Sequence, residues 1–205
     1  MAVERCIQCD KESEIPAIRD RKLCDECIEN EIKQIEAEDK IRQQSAYLKA
    51  SRIPERYWGF DLSKLEISRT EFERLILSPD SILISGDIGT GKTNLACQIL
   101  MKSRGRFYTI NEIYQFEPKG FDWIKNEGLI CIDDLSKTSF ARVADKIFDI
   151  INTRYNANKK TIITTDKRLD ELAILMGTEY GSAIISRLRE WCVNKIQLKK
   201  KWRQW

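Results

Sequence analysis

Residues 82–93 read Ile-Leu-Ile-Ser-Gly-Asp-Ile-Gly-Thr-Gly-Lys-Thr. Gly86, Gly91, Lys92 and Thr93 fill every fixed position of the pattern G-x-x-x-x-G-K-[ST]. The pattern has meaning only between a strand and a helix. The apolar run 82–85 predicts the strand, and 94–102 predicts the helix. Glycine lets the backbone curl, so that the N–H groups of Asp87, Ile88, Gly89, Thr90 and Gly91 face inward toward phosphate oxygens. The helix N-terminus, through Asn94, adds its partial positive charge. Lys92 is placed to reach the β- and γ-phosphates of ATP, and the Thr93 hydroxyl to ligate magnesium. The bland alternative is a glycine turn with no ligand.

Such a loop needs a carboxylate at the end of a neighbouring strand. Leu129-Ile-Cys-Ile-Asp-Asp134 supplies one. Four apolar residues predict a strand buried on both faces. Asp133 is placed to hold the magnesium and Asp134 to orient or activate a water. Further strands are expected at 106–110, 161–165 and 195–198. A helix is expected at 141–157, with Val143, Ile147, Ile150 and Ile151 on its apolar face. Alternation of strands and helices predicts an α/β fold, a central parallel sheet flanked by helices. The strand 161–165 runs into Thr-Thr-Asp at 164–166. If it neighbours the loop strand, Thr165 and Asp166 approach the γ-phosphate. A helix cap or turn at Asp166 is the other reading. Residues 181–190 read as a helix with Arg187 on its outer side, where plain solvation is the default.

Cys6 and Cys9 form one C-x2-C, and Cys24 and Cys27 another, with fourteen residues between the pairs. Two tight turns can aim four thiolates at one ion, the arrangement of a structural zinc site with no open position. A redox C-x-x-C is the alternative. Cys97, Cys131 and Cys192 stand in apolar surroundings and read as small buried residues. A charged helix is expected after Cys27, with Ile28, Ile32 and Ile35 on one face and Ile41 and Leu48 continuing it. Pro54 marks a boundary near 51–54. The expected organisation is a zinc module at 1–30, a linker helix at 31–50 and an ATP-binding domain at 51–205.

The 205 residues include 7 cysteines and no histidine, so no serine–histidine or cysteine–histidine catalytic group is available. Nine of the 35 basic and 12 of the 32 acidic residues lie in 1–50, leaving a net +6 on the remainder. That excess permits a polyanionic partner. The tail Lys199-Lys-Lys-Trp-Arg-Gln-Trp205 mixes charge with aromatics, which suits single-stranded DNA. A solubilising terminus explains it equally well. No apolar run approaches the roughly 18 residues of a membrane span, and the first ten residues lack a signal-peptide core. A cytoplasmic protein without a membrane partner is expected.

Taken together, Gly86 to Thr93, Ile-Asp-Asp-Leu at 132–135, Arg-Tyr at 154–155, Thr-Thr-Asp at 164–166 and Ser-Arg-Leu at 186–188 resemble the AAA+ ATPases in order and spacing. They look most like the DnaC/DnaI helicase loaders and the IstB transposition ATPases. Ile53-Pro-Glu-Arg-Tyr-Trp58 is similar to the family's entry into its ATPase core, and the resemblance covers about 51–198. The cysteine module in front favours the DnaI side and phage loaders. The resemblance implies a P-loop AAA+ base domain with no helical lid domain. It makes Lys92 and Thr93 the Walker A contacts, Asp133 and Asp134 Walker B, and Thr165 or Asp166 the sensor-1 position. Arg187 becomes a finger reaching the nucleotide of the next subunit, which implies self-association. Asp134 stands where many relatives have Glu, which implies slow hydrolysis. The implied role is ATP-dependent loading of a bacterial or phage replicative helicase onto single-stranded DNA, with 1–50 gripping the helicase. An IstB-type regulator working with a transposase, or a nucleotide-gated adaptor with negligible hydrolysis, are the alternatives. A DnaA-type initiator would need an added duplex-binding domain.

Overall fold

The computed structural model describes residues 2–15, 23–116, 118–136 and 144–199. The chain divides into two compact units, 1–47 and 48–205.

In the first unit, strands β1 (Ala2–Arg5) and β2 (Glu12–Ile15) pair antiparallel, with Arg5 opposite Glu12. The first cysteine pair occupies the turn between them. Asp10, at φ 56°, closes that turn with its N–H on Cys6 O at 2.9 Å. Helix α1 (Asp25–Ala50) starts within the second cysteine pair, not after it, so Cys27 lies in its first turn. Cys6, Leu23, Cys24 and Cys27 are buried together, with Ile28 packed against them. Ile32, Ile35 and Ile41 on α1 are 49%, 55% and 70% exposed, so the expected apolar face is largely uncovered along its length.

In the second unit, α1 ends at Ala50, Arg52 turns the chain at φ 64°, and Pro54 leads into a 3-10 turn at Glu55–Tyr57. Helix α2 (Arg69–Leu77) is capped by Ser68, whose hydroxyl accepts from Glu71 N. All five expected strands form: β3 (Ile82–Gly86), β4 (Arg106–Thr109), β5 (Ile130–Asp133), β6 (Thr161–Thr165) and β7 (Asn194–Leu198). The loop strand is one residue longer than expected, because Gly86 still pairs with Leu198. Strand β4 stops one residue earlier, because Thr109 and Glu112 form a capping box that starts α4 (Ile110–Gln115). Five helices complete the unit: α3 (Lys92–Ser103), α5 (Pro118–Asn126), α6 (Ala144–Asn156), α7 (Leu169–Leu175) and α8 (Thr178–Trp191). Of the helix expected at 141–157, residues 141–143 lie outside the described residues.

All five strands are parallel, in the order β4-β5-β6-β3-β7. The period-2 alternation of each strand feeds two cores. On one face Ile82, Ile84, Cys131 and Ile162 meet Leu95, Ile99 and Leu100 of α3 and Phe72 and Leu75 of α2. On the other, Leu83, Ile132 and Ile163 meet Ile147, Ile150 and Ile151 of α6 and Ile184 and Leu188 of α8. Cys97, Cys131 and Cys192 are fully buried, and burial raises each thiol well above its ordinary range or up to about 12 for Cys192. Among the described residues, no helix is long and apolar enough to cross a membrane.

Arg154 of α6 is fully buried in this core. Its Nε donates to Thr161 Oγ1 at 2.8 Å. Its Nη1 donates to the carbonyls of Ile124, Lys125 and Glu127, and its Nη2 to those of Gly128 and Lys160. One guanidinium thus ties the end of α5, the approach to β5 and the start of β6 together. A buried charge is tolerated there because its donors meet acceptors. Burial lowers its pKa to about 10, which leaves it cationic near neutrality.

Candidate nucleotide site and cysteine cluster

The loop after β3 is held in shape by its own chemistry. Gly86 has φ 146°, and a Cβ there would lie 2.2 Å from Leu198 O, so no side chain fits. Thr90 donates its hydroxyl to Asp87 O at 2.9 Å and closes the turn. Gly91, at φ 92°, is the N-cap of α3 and supplies no side chain, so the first-turn N–H groups keep their donor capacity. Lys92 Nζ folds back onto the loop and donates to Gly86 O and Asp87 O at 2.8 and 2.9 Å. Burial pushes its pKa below the ordinary lysine value, while Asp166, Asp134, Asp133 and Asp87 pull it back up. An anion in the loop would relieve that penalty.

Thr93 Oγ1 donates to Asp133 Oδ1 at 2.9 Å across forty residues of sequence. Thr164 Oγ1 donates to the same oxygen at 2.7 Å and accepts from Asp134 N at 2.8 Å. Asp134 sits at φ 63°, a conformation that costs about 1 kcal/mol for a non-glycine residue. The Thr164 hydroxyl helps hold it there. Ser136 Oγ donates to Asp134 Oδ1 at 3.3 Å and also contacts Asp166 Oδ1. Hydroxyl and carboxylate oxygens at this separation are the donor set a hard divalent cation takes. Asn94 Oδ1, one residue further along α3, is buried without a partner among the described residues. The loop borders a cleft of about 700 Å³ lined by Ser85, Gly86, Asp87, Asp166, Lys167 and Gln197 among others.

Strand β6 does neighbour the loop strand, with Ser85 opposite Thr165. The two expected sensor residues then separate. Thr165 is fully buried, and its hydroxyl accepts from Lys167 N at 3.0 Å. Asp166 meets Ser136, and its charge acts on Lys92. It does not cap a helix, because the N-cap of α7 is Arg168. Thr164 and Ser136 are residues the sequence reasoning missed. Alternation along β6 is the signal for Thr164: it shares a face with Ile162, toward α3, whereas Thr165 follows Ile163 to the other face. Nothing in the sequence marks Ser136.

Arg187 is not drawn to the loop of its own chain. Its Nε donates to Asn152 Oδ1 at 2.9 Å and its Nη1 to Ala183 O at 3.1 Å, both on the α6–α8 side. Residues 200–205 of the basic tail lie outside the described residues.

In the first unit the four sulfur atoms of Cys6, Cys9, Cys24 and Cys27 all lie within 4.8 Å of one another. Cys9 and Cys24 Sγ are 3.6 Å apart. Tetrahedral Zn–S bonds of about 2.3 Å set sulfurs about 3.8 Å apart, so the cluster fits that ion. Cys24 N donates to Cys6 Sγ at 3.4 Å, and that bond leads the lowering of the Cys6 thiol to about 6. Burial raises the Cys27 thiol.

Loop, carboxylate strand and parallel sheet define a P-loop α/β fold. In fold it is similar to solved structures of helicase loaders and a replication initiator. No protein-family model matches the sequence, and no curated protein matches it either. Solved structures do. The structure of DnaI is 20% identical, with a TM-score of 0.60 over 74% of this chain and 95% of that one. The DnaC helicase loader is 22% identical, with a TM-score of 0.57 over 72% of this chain and 100% of that one. The replication initiator DnaA bound to AMPPCP and single-stranded DNA is 19% identical, with a TM-score of 0.54 over 73% of this chain and 51% of that one.

Proposed function

We propose that the chain is an ATP-dependent helicase loader of bacterial or phage DNA replication, acting in the cytoplasm. The observation that supports this most is the hydrogen-bonded series Thr93–Asp133–Thr164–Asp134 beside Lys92, on a fold that spans nearly the whole of the solved DnaI and DnaC chains. Lys92 exchanges the Gly86 and Asp87 carbonyls for the β- and γ-phosphates of ATP. The backbone of Asp87 to Gly91 and the start of α3 at Asn94 cradle the phosphates. Thr93 and Asp133 would hold magnesium, which when bound would supply charge neutralisation at the phosphates. Asp134 orients the attacking water, and Asp166 senses the γ-phosphate. Thr165 supports the turn that carries Asp166. Phosphoryl transfer to water gives ADP and phosphate.

Arg187 is the finger for the nucleotide of a second copy, so hydrolysis couples to assembly. The four cysteines hold a structural zinc, and residues 1–50 grip the replicative helicase. The net negative charge of that segment suits a protein partner better than DNA. The ATPase unit and its basic tail contact single-stranded DNA. One observation favours a second reading, a nucleotide-gated adaptor. The short Asp134 side chain, engaged by Ser136, does not extend as far toward a water as Glu would.

Single-turnover hydrolysis separates the two. The wild-type chain is expected to hydrolyse ATP slowly. Arg187→Ala is expected to keep ATP affinity and lose about a thousandfold in rate, within the span that finger removal gives elsewhere. Mixing Arg187→Ala with Lys92→Ala chains restores turnover, because one supplies the loop and the other the finger. Binding without any wild-type hydrolysis makes the protein an adaptor.

A further inference from the structure

Arg154 of α6 and Arg187 of α8 use their guanidinium groups in opposite ways. Arg154 meets acceptors of its own chain at every nitrogen. Arg187 commits only Nε, to Asn152 Oδ1, and Nη1, to Ala183 O. Among the described residues its Nη2 makes no hydrogen bond. The guanidinium carbon stands 5.1 Å from the Phe148 ring centroid and 5.9 Å from that of Tyr155. Those rings are themselves braced: Phe148 lies 5.4 Å from the ring of Tyr180, and Tyr155 meets Trp191 edge-on at 6.3 Å.

A free arginine side chain has about 2 kcal/mol of rotamer entropy to lose on being fixed. Here it is fixed in advance. The partners that fix it are an amide oxygen, a carbonyl and two aromatic faces, all neutral. A carboxylate at position 152 would hold the same nitrogen and cancel its charge. An amide holds it and leaves the charge intact. That combination, a rigid cation with one edge unused, suits a group offered to an anion outside its own chain.

We propose that Asn152 is a positioning residue. With Phe148 and Tyr155 it fixes the Arg187 guanidinium so that its Nη2 edge is offered to the nucleotide phosphates held by a second copy of this chain. This rests on the intersubunit role of Arg187 given above. The effect of Asn152 passes entirely through that arginine.

The test is a double-mutant cycle in the full-length chain, with ATP affinity and single-turnover rate read separately. Asn152→Ala is expected to keep ATP affinity within about twofold and to slow hydrolysis by roughly ten- to a hundredfold, the penalty of a misplaced group. In the Arg187→Ala background the same change slows nothing further. Asn152→Asp keeps the acceptor, adds a negative charge, and is also slow at unchanged affinity. If Asn152→Ala hydrolyses at the wild-type rate while Arg187→Ala does not, the positioning role is overturned and the finger stands. If Asn152→Ala and Arg187→Ala lose rate independently, or affinity falls together with rate, Asn152 is merely structural and the proposal is overturned. Arg187→Ala at the wild-type rate, or a wild-type chain without hydrolysis, overturns the finger and the proposal together.

Discussion

The Lys92→Ala protein is expected to bind ATP at least about thirtyfold more weakly than wild type while keeping its fold. Lys92 is half-buried, its amine rests on two loop carbonyls, and burial weakens its proton affinity. Four aspartates act on it from nearby. Phosphates entering this pocket without the amine would face those carboxylates with little to offset them. Truncating one side of a desolvated, hydrogen-bonded charge pair costs about 2–5 kcal/mol, and every 1.4 kcal/mol is tenfold in affinity. The alanine itself suits a first helical turn, so helix content and thermal midpoint should stay close to wild type. Equilibrium titration with a fluorescent ATP analogue and magnesium reads the effect. Wild-type affinity in this variant contradicts the loop assignment.

The Arg154→Ala protein is expected to lose about 3–5 kcal/mol of stability, because several buried acceptors are each left unsatisfied at about 1–3 kcal/mol. The change strands Thr161 Oγ1 and the carbonyls of Ile124, Glu127, Gly128 and Lys160 without their donor, in a region that water reaches poorly. It also leaves a cavity the size of the side chain. Arg154→Lys should recover little, because one ammonium has three donors at a single point and cannot span acceptors on three segments. Urea unfolding gives both values. A loss under about 1 kcal/mol in the alanine variant would mean the guanidinium is not what ties α5, β5 and β6 together.

The sheet was legible where its residues are apolar on both faces. Ile82 to Ile84, Ile130 to Ile132 and Ile162 to Ile163 can only be inner strands. Their order was not legible, since pairing between β3 and β6 joins residues eighty positions apart. That order decides whether Thr-Thr-Asp reaches the loop at all. Within the site, the loop and Asp133 followed from a motif. Thr164 was available from strand alternation but lost to its neighbour Thr165, which faces the opposite core. The contacts of Ser136 with Asp166 and of Asn152 with Arg187 join residues far apart in sequence and leave no periodic trace. The β1–β2 hairpin went unseen because strands of four residues are too short to show a hydrophobic alternation. Arg154 was visible as part of an Arg-Tyr pair, but not its burial, which opposes the usual rule for arginine.

The most direct test of the loader reading is capture by the full-length chain. Tagged wild-type and Cys24→Ser proteins are incubated with host lysate, ATP and magnesium, and captured proteins are identified by mass spectrometry alongside measured zinc content. The account predicts one bound zinc and capture of the replicative helicase by wild type, with both reduced in Cys24→Ser. Capture of a transposase without the helicase, or helicase capture that is indifferent to loss of the zinc, would contradict it.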